Sequence, residues 1–207
     1  MRASLTNTAL FRRFHIRLMY PVKKKDADMA IKATILRVTL QVSDMDRAYY
    51  DSHALTIAQH SSETDERTMV RLLAFALNAS EGLKFTEGVS AEEDEPDIWQ
   101  KNLTGDIEVW IDVGLPDEKR IRKACNRAKQ VFVYAYGGRT VEPWWNAVVD
   151  TLSRHTNLKV TALPHAATRA LGEMAQKTMS LQCTIQDGQI WMGDSANNVF
   201  IEPQILL

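Results

Sequence analysis

The chain has 207 residues, of which 45% are hydrophobic and 25% charged, and its formal net charge is −1 at pH 7. This length supports one substantial hydrophobic core and is short for two independent domains. No apolar run approaches the roughly 18 residues that a membrane-spanning helix needs, so we expect a soluble protein. Cys125 and Cys183 show no CxxC spacing, which argues against a disulfide framework or thiolate zinc site and favours the reducing cytoplasm.

Charge is distributed unevenly along the chain. Residues 1–28 contain seven bases and two acids, a net +5, which leaves −6 for the remainder. Three interpretations of this basic tail stay open: an upstream mis-start before a true first residue at Met29, a disordered basic arm, or a targeting peptide. Residues 29–207 are predicted to form a single domain, and its acidic balance argues against strong sequence-independent DNA binding.

The first predicted elements form a β-hairpin. Apolar and polar residues alternate from Ala33 to Val42, which is typical of a half-buried strand. Turn-forming residues at 43–46 allow residues 48–59 to return antiparallel.

A helix is predicted next. Ser62 and Asp65 have the spacing of an N-terminal capping box, and the apolar run that follows extends the helix to about Asn78. Glu63 and Arg67 are four residues apart, which predicts an ion pair with Glu63 as an acid of the first helical turn.

The centre of the chain combines acids on a strand with bases on a helix. Residues 106–113 alternate between polar and apolar, which places Asp106, Glu108 and Asp112 on one side of a strand. Pro116 and Asp117 then predict the start of a basic helix that runs to about Lys129. The strand's polar side faces either a functional site or solvent.

The remaining chain alternates strands with helices and ends in strands, so we predict an α/β or α+β fold with a mixed sheet flanked by helices, an N-terminal β-hairpin extension and a C-terminal β-meander. These elements are a strand at 131–136, a helix at 143–154, a strand at 158–163, a helix at 164–177 and meander strands at 179–186, 189–193 and 199–202.

Acid clustering is the main chemical signal. No P-loop, dinucleotide-binding, hydrolase-elbow or HExxH motif occurs, and the five histidines lack ligand spacing. Asp97, at a Pro-Asp turn, and Asp112, near a strand end, are candidates to converge on a hard cation such as Mg²⁺ or Mn²⁺. Such an ion activates water for phosphodiester cleavage, and a nearby lysine offsets the developing charge.

A family resemblance supports this interpretation. Pro96-Asp97, followed by Ile111-Asp112-Val113-Gly114 and a basic helix, resembles the PD-(D/E)XK nuclease superfamily. The chain is more closely similar to the YaeQ family of bacterial proteins over Met29 to about Asn198. That similarity is carried by these stretches: RVTLQVSDMDRAYYDSHALTIAQHSSETDERTMVRLLAFAL from Arg37, FTEGVSAEEDEPDIW, GDIEVWIDVGLPDEKRIRKAC, Trp144-Trp145 and MSLQCTIQDGQIWMGD from Met179.

The resemblance implies a variant of the nuclease fold and a set of site residues. Asp97 and Asp112 would be the paired acids, with Glu63 or Glu108 as a further metal ligand. The lysine expected two residues after the second acid is Gly114 here, which makes Lys119 and Lys123 the candidates for its role. Arg120 and Arg127 lie on the flank of the helix and reach the sheet edge more easily than these two lysines do.

Two functions follow from different classes. The first is a Mg²⁺- or Mn²⁺-dependent nuclease acting on DNA or RNA, with Asp97, Asp112 and Glu63 or Glu108 holding the metal. The second is a non-catalytic nuclease-fold protein that binds a partner or regulates transcription, as the resemblance implies. Five tryptophans are available to stack on bases, but filling a core is the commoner role of this residue.

Overall fold

The computed structural model describes residues 33–86 and 95–207. The basic tail predicted at residues 1–28 lies outside the described residues. The elements are β1 (Ala33–Asp44), β2 (Tyr49–His60), α1 (Asp65–Asn78), β3 (Lys84–Phe85), β4 (Ile98–Lys101), β5 (Ile107–Val113), α2 (Glu118–Arg127), β6 (Ala128–Ala135), α3 (Val141–Leu152), β7 (Leu158–Ala162), α4 (His165–Glu173), β8 (Thr178–Gln186), β9 (Gln189–Gly193), β10 (Asn198–Ile201) and β11 (Gln204–Ile205).

The predicted hairpin and the predicted meander, distant in sequence, form one five-stranded sheet. Its strand order is β10-β9-β8-β1-β2, and β1 and β8 join the two parts by pairing in parallel. Strict alternation along β1 buries Leu36, Val38, Leu40 and Val42 on one side. The sequence predicted both parts but not their union, since the parallel pairing joins residues more than 130 positions apart.

The second sheet has six strands in the order β11-β7-β6-β5-β4-β3. Its central strands β5, β6 and β7 are parallel, with α2 and α3 as the crossovers between them. The fold is therefore a mixed α+β architecture with two mixed sheets, where a single sheet was predicted. The short strands β4 and β11 were not predicted from the sequence.

Both faces of the six-stranded sheet are covered. One face meets α1, α4 and the inward side of the five-stranded sheet in a core that includes Leu73, Ile98 and Ile111. The opposite face packs against α2 and α3, with Trp110 and Ile121 in the second core. The polar side of β5 is therefore covered at Trp110 and Asp112, and Asp112 is buried on an interior strand.

The helix ends correct two details of the prediction. Thr64, not Ser62, caps α1, because its hydroxyl accepts the Arg67 backbone N–H at 3.2 Å. Glu63 therefore precedes the helix instead of lying in its first turn. Asp117 caps α2 and accepts the Arg120 N–H at 2.7 Å, as its position after Pro116 suggests.

The C-terminal helix is shorter than its apolar pattern indicated. Helix α4 ends at Glu173, whereas the pattern predicted helix as far as residue 177. Strand β8 begins at Thr178, so the last few residues serve to connect α4 to the sheet. Within the described parts of the chain, no helix combines the length and apolar character required to cross a bilayer.

Candidate functional site

The Pro96-Asp97 turn is held beside the carboxyl end of β5. Thr86 donates its backbone N–H to the Asp97 carbonyl at 3.1 Å and its hydroxyl to the Pro96 carbonyl at 2.5 Å. The Asp97 N–H donates to the Ile111 carbonyl at 3.0 Å. Ile98 pairs with Ile111 across the antiparallel strands, so Asp97 and Asp112 are the next residues in register.

The carboxylate of Asp97 is bound by an arginine and by the backbone. Its Oδ1 accepts from Nη2 of Arg67 at 2.7 Å, and its Oδ2 accepts from the Val113 N–H at 2.8 Å. Nε of Arg71 lies 3.6 Å from the same Oδ1. Both arginines come from α1, so this helix carries two positive charges to the sheet edge.

The carboxylate of Asp112 is buried and clamped from α2. Arg120 donates from Nη2 to Oδ1 at 2.7 Å and from Nε to Oδ2 at 3.0 Å, which is the bidentate fork that suits a carboxylate. The indole N–H of Trp110 donates to Oδ2 at 2.9 Å. Arg120 also donates to the Glu95 carbonyl at 2.8 Å, which ties the loop before Pro96 to the same group.

Asp97 and Asp112 are next to one another in register, and their charges act on each other. Burial raises the pKa of Asp112, the hydrogen bonds and charge of Arg120 oppose that rise, and the negative charge of Asp97 adds to it. Burial lowers the pKa of Arg120, but the hydrogen bonds and charge of Asp112, with a smaller contribution from Asp97, raise it overall. The two predicted acids therefore stand side by side at the end of β5, with Asp97 bound by arginines of α1 and Asp112 by an arginine of α2.

Gly114 occupies the position two residues after Asp112. Its φ of +100° is a conformation that favours glycine. A Cβ atom here would lie 3.4 Å from Nη1 of Arg67 and 3.9 Å from the ring of Tyr136. That same Nη1 donates to the Val113 carbonyl at 2.8 Å. The guanidinium of Arg67 therefore lies against the point from which a side chain at position 114 would project.

Glu63 joins the cluster through Arg71. Nη1 of Arg71 donates to both Glu63 oxygens, at 3.0 and 3.1 Å, and both side chains are over 90% buried. The predicted Glu63–Arg67 pair is therefore replaced by Glu63–Arg71, because Glu63 lies ahead of the helix and Arg67 is engaged with Asp97. Nε of Arg71 is buried with no hydrogen-bond partner.

The other predicted ligand, Glu108, does not join this cluster. It accepts from Nζ of Lys129 at 2.7 Å and from the Asn102 side chain at 3.2 Å. It precedes Asp112 by four residues on β5, which at about 3.3 Å per residue separates the two positions by roughly 13 Å.

The side chain of α2 that forks onto Asp112 belongs to an arginine. Lys119 is exposed and Lys123 is half-buried, whereas the α2 residue on Asp112 is Arg120. The guanidinium of Arg127 lies over the Trp110 ring, 5.6 Å from its centroid. Both flanking arginines thus reach the sheet, as their helical positions suggested. Catalytic roles for the two lysines stay predictions.

The donor set does not fit a hard divalent cation as it is arranged here. All six carboxylate oxygens of Glu63, Asp97 and Asp112 accept from nitrogen donors. Three guanidinium groups already balance the three acids. Across the described residues, no group of three or more histidine, cysteine or acidic side chains is placed to hold a metal. The orphaned Arg71 Nε is itself a donor, which a cation cannot satisfy.

Sequence reasoning did not single out Arg67, Arg71 or Tyr136 for this site. The arginines carry one usable signal, since their four-residue spacing puts both on one face of α1. Tyr136 follows β6, where the carboxyl ends of parallel strands form a common edge. Burial raises the pKa of Tyr136, and the neighbouring Arg67 works against that rise.

The chain is similar to several known proteins. A family model described as YaeQ protein matches residues 29–203. The uncharacterized YaeQ protein of Salmonella typhi is 47% identical over 174 residues, covering 84% of this chain and 96% of the relative. That of Escherichia coli K12 is 44% identical over 171 residues, covering 83% and 94%.

Solved structures agree with these relatives. The crystal structure of YaeQ from Xanthomonas axonopodis pv. citri is 48% identical with a TM-score of 0.82, covering 84% of this chain and 98% of that one. The YaeQ structure from Pseudomonas syringae is 31% identical with a TM-score of 0.80, covering 84% and 96%. Sequence and fold agree over the same region, so the chain belongs to the YaeQ family.

Proposed function

We propose that this chain is a non-catalytic binding or regulatory protein built on a nuclease-like fold. The observation that carries the proposal is the arginine cluster: every carboxylate oxygen of Glu63, Asp97 and Asp112 accepts a hydrogen bond from a nitrogen donor. Arginine is always protonated at physiological pH and does not act as a general base. The cluster therefore serves to tie α1 and α2 to the end of β5.

The relation to PD-(D/E)XK nucleases is part of this proposal. It is supported by the Pro96-Asp97 turn beside Asp112 and by the parallel strands that follow. It is also supported by Arg67, whose Nη1 lies 3.4 Å from where the Cβ of a lysine at position 114 would stand. In this view α1 supplies from outside the motif the positive charge that Gly114 lacks.

Electrostatics favour the arginines over a metal. A dication about 5 Å from one guanidinium is repelled by roughly 7 kcal/mol at an effective dielectric constant of about 20. Three guanidinium groups surround the acids, and the buried Asp112–Arg120 fork would have to open before both aspartates could face an ion. Opening it would leave buried charge without a partner, which is costly.

A protein partner fits the surface charge better than nucleic acid does. Bases on and beside α2 are paired with acids: Arg122 lies 3.4 Å from Glu118, and Lys129 lies 2.7 Å from Glu108. These pairs reduce the positive field that the phosphate backbone of DNA or RNA requires. We therefore expect weak or no salt-dependent binding of either nucleic acid.

The second candidate is the Mg²⁺- or Mn²⁺-dependent phosphodiesterase. The observation in its favour is the coupling of Asp97 to Asp112, whose pKa is raised by burial and further by the Asp97 charge. Like charges at close range are an arrangement that metal-dependent nucleases use. Under this candidate, Arg67 would take the lysine's part in offsetting charge on the phosphate.

Manganese titration separates the two candidates. We expect calorimetry of the full chain to detect no saturable Mn²⁺ binding in the micromolar range, and Asp112→Asn and the control Glu118→Gln to behave alike. Glu118 is a suitable control because it is an acid of α2 outside the cluster. Stoichiometric binding lost in Asp112→Asn but kept in Glu118→Gln, with cleavage of single-stranded RNA or plasmid DNA in Mn²⁺, would establish the phosphodiesterase instead.

A further inference from the structure

The outward side of the five-stranded sheet differs from an ordinary solvent-facing sheet. This outer face consists of the β1 residues that alternate with its buried ones, such as Thr39 and Gln41, and their neighbours on the other strands. Within the bounds of these strands, Arg37 is the single charged residue on that side. Solvated sheet faces normally carry charges of both signs, so this one is unusually neutral.

Three exposed apolar side chains lie on the same face. Ile35 is 52% exposed, Tyr50 63% and Phe200 48%, which makes three of the six large exposed apolar side chains among the described residues. The rings of Trp191 and Phe200 lie 5.4 Å apart. Pairing across the strands sets Phe200, Trp191, Thr184, Ser43 and Tyr50 in one row across the sheet. Half-buried Trp191 and exposed Phe200 therefore form a continuous aromatic patch at one end of this row, the kind of feature that marks an interaction surface.

We propose that the outer face binds the outer face of a second copy of this chain, forming a two-fold symmetric dimer. A symmetric interface places each patch against its own copy, so a charged patch repels itself and a neutral one does not. The small hydroxyl and amide side chains at the centre permit close approach of two sheets, which pack about 10 Å apart. The Trp191–Phe200 patch then packs against the partner's sheet.

The size of the face matches what a dimer needs. Five strands about 4.8 Å apart and on average about 28 Å long give roughly 700 Å². A standard stable interface buries about 800 Å² per partner. Nucleic acid is the less favourable occupant, because Arg37 alone supplies positive charge on this face for a phosphate backbone. The dimer does not depend on the function proposed for the arginine cluster.

Sedimentation equilibrium of the full chain tests the proposal. We expect a mass twice the 23.5 kDa of one chain at concentrations between about 1 and 100 µM. Dissociation constants in the micromolar range are typical of the weaker interfaces of this size. Thr39→Glu and Ser180→Glu, both exposed at the centre of the face, place like charges across the two-fold axis. Each is expected to weaken the dimer at least about tenfold. Thr156→Glu, exposed in a distant loop, is the matched control and leaves it unchanged.

Thermal unfolding by circular dichroism establishes that the variants fold, since all three positions are exposed. A parent protein that is monomeric throughout this concentration range would overturn the proposal. A monomer whose tryptophan fluorescence is quenched by single-stranded RNA would overturn it as well, with nucleic acid as the occupant of the face. A dimer that survives both glutamate substitutions on the face would place the interface elsewhere and would equally overturn it.

Discussion

Removing Arg120 tests whether the arginine cluster is as tightly coupled as its geometry indicates. In Arg120→Ala, the Asp112 side chain, 2% exposed, keeps the indole N–H of Trp110 but loses the guanidinium fork. Breaking a buried ion pair by removing one partner costs about 3–5 kcal/mol. Because the Arg120 side chain is 27% exposed, we expect the lower end, a loss of about 3 kcal/mol in the free energy of unfolding.

The loss should depend on pH with a defined sign. Burial raises the pKa of Asp112 even in the parent protein, with Arg120 opposing the rise, so removing Arg120 raises that pKa further. An acid whose folded-state pKa exceeds its unfolded value favours folding below the unfolded pKa. That contribution is lost as pH rises through the folded pKa. Arg120→Ala should therefore be closest to the parent in stability near pH 5 and furthest from it near pH 8.

Urea unfolding followed by tryptophan fluorescence measures both effects, with Arg122→Ala as the control. Arg122 lies on the same helix, and its pair with Glu118 is exposed, with 55% and 39% of the two side chains accessible. Such a pair contributes about 0.5 kcal/mol or less. If Arg120→Ala lost less than about 1 kcal/mol, or lost the same amount at pH 5 and pH 8, the buried-pair reasoning would be refuted.

The remaining predictions concern Gly114, the cysteines and Trp110. Gly114→Ala should lower the free energy of unfolding by about 1–3 kcal/mol, because alanine is strained at the Gly114 φ of +100°. The loss should exceed that of Gly105→Ala, whose φ is +90° but whose Cβ position has open space around it. Equal losses in urea unfolding would contradict a contribution from the contact with Arg67. Burial raises the pKa of Cys125 to about 11 and that of Cys183 to about 12. Neither thiol should therefore react with a disulfide reagent at pH 7 until urea unfolds the chain. Labelling of either thiol in the folded protein would contradict this prediction. Trp110→Phe removes a hydrogen-bond donor to buried Asp112 and should lower the free energy of unfolding by about 1–3 kcal/mol. The loss should be smaller at pH 5 if the missing hydrogen bond to the carboxylate is its cause.

Local patterns predicted the elements that pack one face against a core. The hairpin of β1 and β2 follows from alternation, since residues two apart share a face of a strand. Strand β4 was not predicted because its extended structure is set by pairing with β5 and β3 on either side, not by alternation in its own sequence. The burial of β5 on both faces was also missed, because a strand's own alternation cannot reveal that α2 and α3 cover its second face.

The candidate site divides in the same way. Asp97 and Asp112 were identified from their sequence context, and the structure does bring them together. The groups that occupy their oxygens were not identified as such, because Arg67 approaches Asp97 from 30 residues away and Arg71 from 26. Arg120 was placed on the correct flank of α2 by its helical position alone.

Hydrophobic periodicity and turn residues in the sequence were sufficient to predict most strands and helices and the positions of the two acids, since each of these depends on residues near one another along the chain. The union of hairpin and meander into one sheet, the burial of Asp112 and the three arginines around the acids appear only in the tertiary structure. These features depend on which distant segments lie side by side, and the charge state of the site is set by those neighbours.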